Sequence, residues 1–241
     1  MKTPNRSDLR TDEADVWLAS LDRFYPLKVH FERLLDPSER ARAKVLTARE
    51  GTTFTVCRGI LRALLGSYLG LDPESIVYVR GQNGKLNLAD GMGYPPLNFS
   101  LAHSGGSAVF AFALCREVGV DIECTSPGVD VRGISRRFFA PGEYAILKSL
   151  ESRARLRRFY QIWTLKEAVL KAAGAGLNIA LDSIDTSCVG SRKLMTSECS
   201  FLGRRLHLRP LSLPRPMVGS LALEMTGVTP RNLRLRTKEV G

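Results

Sequence analysis

Two segments of this chain hold acidic and basic side chains at spacings that suit chemistry on a polyanion. In Gly119-Val120-Asp121-Ile122-Glu123 two carboxylates alternate with two β-branched residues. In the run from Phe159 to Ala173 a third carboxylate, Glu167, sits between Lys166 and Lys171. As a strand, the first segment buries Val120 and Ile122 and projects Asp121 and Glu123 from its other face. The second contains no proline or glycine and is rich in helix formers, so a helix is predicted, with Gly174 where a left-handed C-cap belongs. Trp163, Glu167 and Lys171 then form one slowly drifting stripe, so Glu167 and Lys171 share a face. Two like charges side by side on a strand need a compensating cation. Each segment alone also has an ordinary reading: a helix ion pair worth roughly 0.3–0.5 kcal/mol, and a solvated strand face.

Taken together, a strand carrying D-x-E and a helix carrying W-x-x-K-E-x-x-x-K resemble the two signatures of the Sfp-type 4′-phosphopantetheinyl transferases. Three further blocks match in order and separation: Leu97 to Ser104, which contains His103; Arg137 to Tyr144; and the arginine-spaced segment from Arg49 to Arg62. The resemblance implies transfer of 4′-phosphopantetheine from coenzyme A to a serine of an acyl or peptidyl carrier protein, with release of adenosine 3′,5′-bisphosphate. It further implies Mg²⁺ held by Asp121, Glu123 and Glu167, since a hard cation takes oxygen ligands and answers charge on a pyrophosphate. Glu167 is also implied as the base for the incoming serine, directly or through a water. Lys166 and Lys171 are expected on phosphate, with Lys171 counted among the catalytic residues. His103, Arg49, Arg58 and Lys85 are expected to bind coenzyme A, and Arg62 shares a helix face with Arg58. The chain departs from the pattern at Thr53, often arginine in relatives, at Ala102, often serine, and after Lys85, where a proline is lost.

The 241 residues carry a formal net charge of +11, and 44% are hydrophobic, enough for one large domain or two lobes with a real core. Seven of the excess positive charges fall between Val131 and Lys171, where ten Lys/Arg face three acids. Such a field attracts an anionic partner. Nucleic acid is the generic candidate, but no helix-turn-helix, zinc-finger or RNP pattern is present. Carrier proteins of the implied kind are acidic beside the modified serine, and Arg153, Arg155, Arg157 and Arg158 are the expected landing surface. Five cysteines without a C-x-x-C pair argue against a disulfide framework or a structural zinc. The longest apolar run, Ala108 to Cys115, is far short of the roughly 20 residues that span a bilayer. A soluble, cytoplasmic monomer with no membrane contact is therefore expected.

The elements that must position these residues read as strands at Val16–Ser20, Ile76–Arg80, Lys85–Leu88, Leu97–Leu101, Ala108–Cys115, Val118–Glu123, Ile184–Cys188, Arg205–Leu213 and Met217–Glu224. Helices follow Asp36-Pro37 and run to Leu69, and span Gly142–Leu150 and Leu156–Ala173. Ala108–Cys115 and Val118–Glu123 are expected to form a tight hairpin, Pro127–Gly133 a loop, and the basic tail from Gly227 a frayed end. The resemblance arranges these as an α+β fold of two similar helix-plus-sheet lobes, 1–117 on the coenzyme A side and 118–241 on the metal and carrier side. A pseudo-twofold relates the lobes and the active site lies between them. Two rivals stand beside this reading: a basic nucleic-acid-binding module, which needs no carboxylate cluster, and a coenzyme A-binding protein that has lost catalysis.

Overall fold

The computed structural model describes residues 9–81, 83–93, 95–176, 179–187, 189, 197–225 and 234–240. In chain order the elements are β1 (Glu13–Ser20), α1 (Lys28–Leu34), α2 (Pro37–Lys44), α3 (Ala48–Leu69), β2 (Tyr78–Arg80), β3 (Leu86–Leu88), β4 (Leu97–Ser104), β5 (Ser107–Leu114) and β6 (Val118–Cys124). They continue with α4 (Val131–Phe138), α5 (Pro141–Ser149), α6 (Ser152–Ala173), β7 (Ser197–Phe201), β8 (Arg204–Pro210), β9 (Met217–Glu224) and β10 (Arg234–Glu239). Two four-stranded sheets result, ordered β10-β1-β5-β4 and β6-β9-β8-β7, with β2 and β3 paired separately.

The helices begin and end where local chemistry dictates. Asp36 and Thr47 cap α2 and α3 with reciprocal capping boxes to Glu39 and Glu50. Both long helices, α3 and α6, stop at a left-handed glycine, Gly70 (φ 67°) and Gly174 (φ 64°).

Strand alternation sorts the core into layers. Trp17 of β1 and Phe110 and Phe112 of β5 face α3 with Ile60, Leu61, Leu64 and Leu65. Val16, Val109 and Ala111 face the other way, onto Val118, Val120 and Ile122 of β6 and Leu221 and Leu223 of β9. Large side chains therefore fill the helix layer, and smaller ones let the two sheets approach. Helix α6 covers the far face of the second sheet with Leu165, Val169 and Ala172. Because β5 is buried on both faces, it reads as a continuous apolar run. Among the described residues no helix is long and apolar enough to cross a membrane.

Several expectations are corrected. β5 and β6 do not form a hairpin. Each belongs to a different sheet, and the link through Cys115 (φ 57°) is the crossover between them. Residues 131–138 form helix α4, started by the Asp130 side chain on the Gly133 N–H, where a loop was expected up to Gly133. The strand expected at Ile184–Cys188 is not one over residues 184–187; a single 3₁₀ turn, Leu181–Ser183, precedes Ile184, and Cys188 lies outside the described residues. The expected frayed tail is structured from Arg234, where β10 pairs in parallel with β1. Lys238 reaches the buried Asp15 at 2.8 Å, and Val240 is buried. A division at 117/118 thus separates the two sheets except for β10, which returns to the first. The remainder of that tail, 226–233 and 241, lies outside the described residues.

Candidate active site

Strand β6 is the edge of its sheet, and it lies against α6 because residue 119 is glycine. A Cβ there would stand 2.0 Å from the Ala168 carbonyl oxygen and 2.4 Å from the Ala172 nitrogen. With Val120 and Ile122 turned to the inter-sheet core, Asp121 and Glu123 face the helix, as the alternation requires. Lys171, one turn beyond Glu167 on α6, donates to Asp121 Oδ1 at 2.7 Å. The strand's open side is closed by β4: Ser100 Oγ accepts the Val120 N–H at 3.1 Å and Ser104 Oγ accepts the Cys124 N–H at 3.1 Å. Ser104 also donates to Glu123 Oε2 at 2.8 Å.

The electrostatics reflect this crowding. Burial pushes the Asp121 carboxyl up to about 6; the Lys171 ammonium opposes that, and Glu123 and Glu167 add to it. Glu167 is raised too, first by burial, with Lys171 opposing and Glu123 reinforcing. His103 is exposed at the end of β4 and is held below its ordinary value by partial desolvation, with Lys171 repelling the imidazolium and Glu123 favouring it. The three carboxylates thus feel one another across the β6–α6 junction, and His103 on β4 feels Glu123 and Lys171.

Among the described residues no group of three His, Cys, Asp or Glu side chains is preassembled as a metal cage. The donor set nevertheless fits a hard cation: among the described residues Asp121 Oδ2 is buried without a hydrogen-bond partner, and the neighbouring Glu123 and Glu167 offer further carboxylate oxygens. Beside these groups opens a cavity of about 420 Å³, lined by Phe99, Leu101 and Leu170 and by Arg58, Lys85, Glu167 and Lys171. Arg58 lies 3.7 Å from Glu39, stacks near Phe54 and Tyr78, and has Nη1 buried without a hydrogen-bond partner among the described residues.

Other expected residues land elsewhere. Lys166 is a correction: it is fully buried, 2.7 Å from Glu143, and donates to the carbonyls of Leu181, at 2.8 Å, and Ile184. Glu143 in turn accepts from Ala140 N and from Thr186 N and Oγ1. The pair ties α5, α6 and the following loop together, because residues 166 and 167, about 100° apart around one helix, meet different neighbours. Arg62 is likewise committed to Glu39, Asp36 and the carbonyls of Pro73 and Ile76. Arg49 is exposed on the first turn of α3. Thr53, at the departing position, has its hydroxyl 3.3 Å from that of Tyr25. Lys85 lines the cavity but its amine is engaged by Glu117 at 2.6 Å and by the Val118 and Ala172 carbonyls, clamping the β2–β3 hairpin over α6. Of the four arginines expected as a landing surface, Arg155 caps the carbonyls of Leu147 and Leu150 and Arg158 holds that of Val189 at 2.6 Å; Arg153 and Arg157 are exposed.

Sequence reasoning missed Ser104 and the role of Gly119. The second had a signal, a lone glycine inside a strand pattern, which marks close backbone approach. Ser104 had none, since its partner lies 19 residues away on another sheet.

Residues 117–209 match the model of the 4′-phosphopantetheinyl transferase superfamily. The chain is similar to the 4′-phosphopantetheinyl transferase HetI of Nostoc sp., 36% identical over 73% of this chain and 74% of that protein. It is similar also to 4′-phosphopantetheinyl transferase Sfp of Bacillus subtilis, 29% identical over 64% of this chain and 66% of that one. A third relative is 4′-phosphopantetheinyl transferase AcpT of Escherichia coli, 36% identical over 57% and 66%.

Proposed function

This chain belongs to the 4′-phosphopantetheinyl transferase family, in its Sfp-type branch, and from that premise we propose how its residues transfer 4′-phosphopantetheine from coenzyme A to a carrier protein. The observation that carries the reading is the meeting of Asp121 and Glu123 with Glu167 and Lys171, the last two of which line the cavity together with Arg58 and Lys85. The two sheets correspond to the lobes of the family's pseudo-twofold arrangement, with the site at their junction.

Asp121, Glu123 and Glu167 would hold Mg²⁺. The cation supplies neutralisation of charge on the pyrophosphate oxygens. Lys171 exchanges its Asp121 partner for a phosphate oxygen as substrate arrives, a move that costs little for a flexible point charge. The partnerless Arg58 Nη1 and the exposed His103 grip the nucleotide phosphates, and the apolar wall of Phe99, Leu101 and Leu170 lies along the pantetheine arm. Glu167, raised by burial, takes the proton of the carrier serine, directly or through a water. The serine oxygen attacks the phosphorus that bears pantetheine; the bond to the bridging oxygen breaks, and adenosine 3′,5′-bisphosphate leaves with the electron pair.

The exposed Arg153 and Arg157, with Arg132, Arg136 and Arg137 flanking the 38% exposed Phe138, offer an acidic carrier a landing surface. Incubation with coenzyme A, Mg²⁺ and a panel of apo carrier proteins, read by intact mass, tests the reading. A gain of one phosphopantetheine on a carrier is expected, and it should vanish in Asp121→Ala. No gain on any carrier, or full activity in that variant, overturns it.

A further inference from the structure

We infer that Ser104 is a positioning residue that holds the Glu123 carboxylate in the orientation a cation needs; the inference rests on the metal reading of Asp121, Glu123 and Glu167. Its hydroxyl has one proton and is constrained from both sides. The Cys124 N–H, 3.1 Å away, can only donate to it, and an ionised Glu123, with Oε2 at 2.8 Å, can only accept from it. The hydroxyl rotor therefore has a single arrangement that satisfies both neighbours. One Glu123 oxygen is thereby tethered, which fixes where the other points.

The tether is rigid because Ser104 leads directly into a tight turn. Gly105 (φ 54°) and Gly106 (φ 77°) form the two-residue turn between β4 and β5, with Ser104 paired to Ser107 across it. Gly105 presses on β6: a Cβ there would stand 2.5 Å from the Cys124 Cβ. The turn is thus packed closely against β6 beside Glu123. Ser100, four residues earlier on the same strand, performs only half of this task. It accepts the Val120 N–H at 3.1 Å, and among the described residues no hydrogen bond joins it to a carboxylate. Stitching the two sheets therefore explains Ser100, whereas Ser104 both stitches them and orients a ligand. A hydrogen-bond partner behind a metal-ligating carboxylate is worth about 10- to 100-fold in metal affinity.

Mn²⁺ titrated into the purified protein, followed by the free-ion electron paramagnetic resonance signal, provides the test, with thermal melting of each variant alongside. Ser104→Ala should weaken Mn²⁺ binding at least about tenfold. Ser104→Thr, which keeps the hydroxyl, should restore it. In a Glu123→Gln background the Ser104→Ala change should cost less than half as much on a logarithmic scale, because the serine acts through that carboxylate. A wild-type protein that takes up no Mn²⁺ removes the metal reading and this role with it. A wild-type protein that binds Mn²⁺ while Ser104→Ala binds it equally well overturns the role of Ser104 alone. So does an affinity loss that the threonine fails to restore, or one of equal size in the Glu123→Gln background.

Discussion

Gly119 and Ala168 are in backbone contact, with only 2.0 Å between the Ala168 carbonyl oxygen and the position a Gly119 side chain would begin. That contact sets the distance between the strand bearing Asp121 and the helix bearing Glu167 and Lys171. A methyl at residue 119 meets main chain rather than a flexible side chain, so the helix itself must move. Gly119→Ala should lower stability by about 1–3 kcal/mol, the usual scale of overpacking. It should reduce carrier loading further than that loss of fold explains, because the 2.7 Å Lys171–Asp121 pair is pulled apart. Chemical denaturation and intact-mass loading assays read both. Wild-type values in the two together would mean that the close approach is not what builds the site.

Removing Lys166 should unfold rather than disarm the protein. Its ammonium and the Glu143 carboxylate are both fully buried at 2.7 Å, and deleting one leaves the other charged and uncompensated. The cost for such a pair is about 3–5 kcal/mol. Lys166→Met combined with Glu143→Gln should be less destabilised than Lys166→Met alone. Coenzyme A affinity per folded molecule should match wild type in calorimetric titration; a specific loss of affinity would return Lys166 to the substrate.

His103 and Arg58 should behave in the opposite way. Replacing either with alanine is expected to weaken coenzyme A binding by roughly 1.5–3 kcal/mol, the worth of a charge-assisted hydrogen bond. Carrier binding should remain near wild type. Unchanged coenzyme A affinity in both variants contradicts their assignment to the nucleotide phosphates.

The basic sector divides into two kinds of arginine, and the division is measurable. Arg153→Glu with Arg157→Glu should raise KM for carrier protein and flatten its salt dependence, with kcat nearly unchanged, since steering precedes chemistry. Arg158→Ala should instead lower stability, by losing the 2.6 Å bond to the Val189 carbonyl. A carrier KM that ignores the double reversal would leave α4 and Phe138 as the docking surface.

Acid should destabilise the fold through His207. This buried imidazole on β8 is held below its ordinary value, chiefly by desolvation and then by Arg209. Below about pH 6.5 the unfolded chain takes up a proton that the folded chain refuses, so stability falls there, and the loss levels off once the folded histidine also protonates. Denaturation midpoints between pH 8 and 5 should decline less steeply in His207→Gln than in wild type. Parallel curves would assign the acid sensitivity to other groups.

The amino-acid pattern alone determined which residues share a face. Alternation put Asp121 and Glu123 together, helical spacing put Glu167 one turn before Lys171, the Asp36-Pro37 signal marked the start of α2, and Gly174 marked the end of α6. All of these are local, because neighbours within a few residues fix them. Tertiary structure decided everything that depends on where two distant segments touch. Whether a lysine on α6 reaches phosphate or the core depends on what packs around that helix: Lys166 and Lys171 are of the same type five residues apart, yet one is sealed against Glu143 and the other faces the cavity. The assignment of β5 and β6 to different sheets and the return of β10 to β1 are likewise beyond local pattern. Strand pairing is made by backbone groups, which every sequence carries alike.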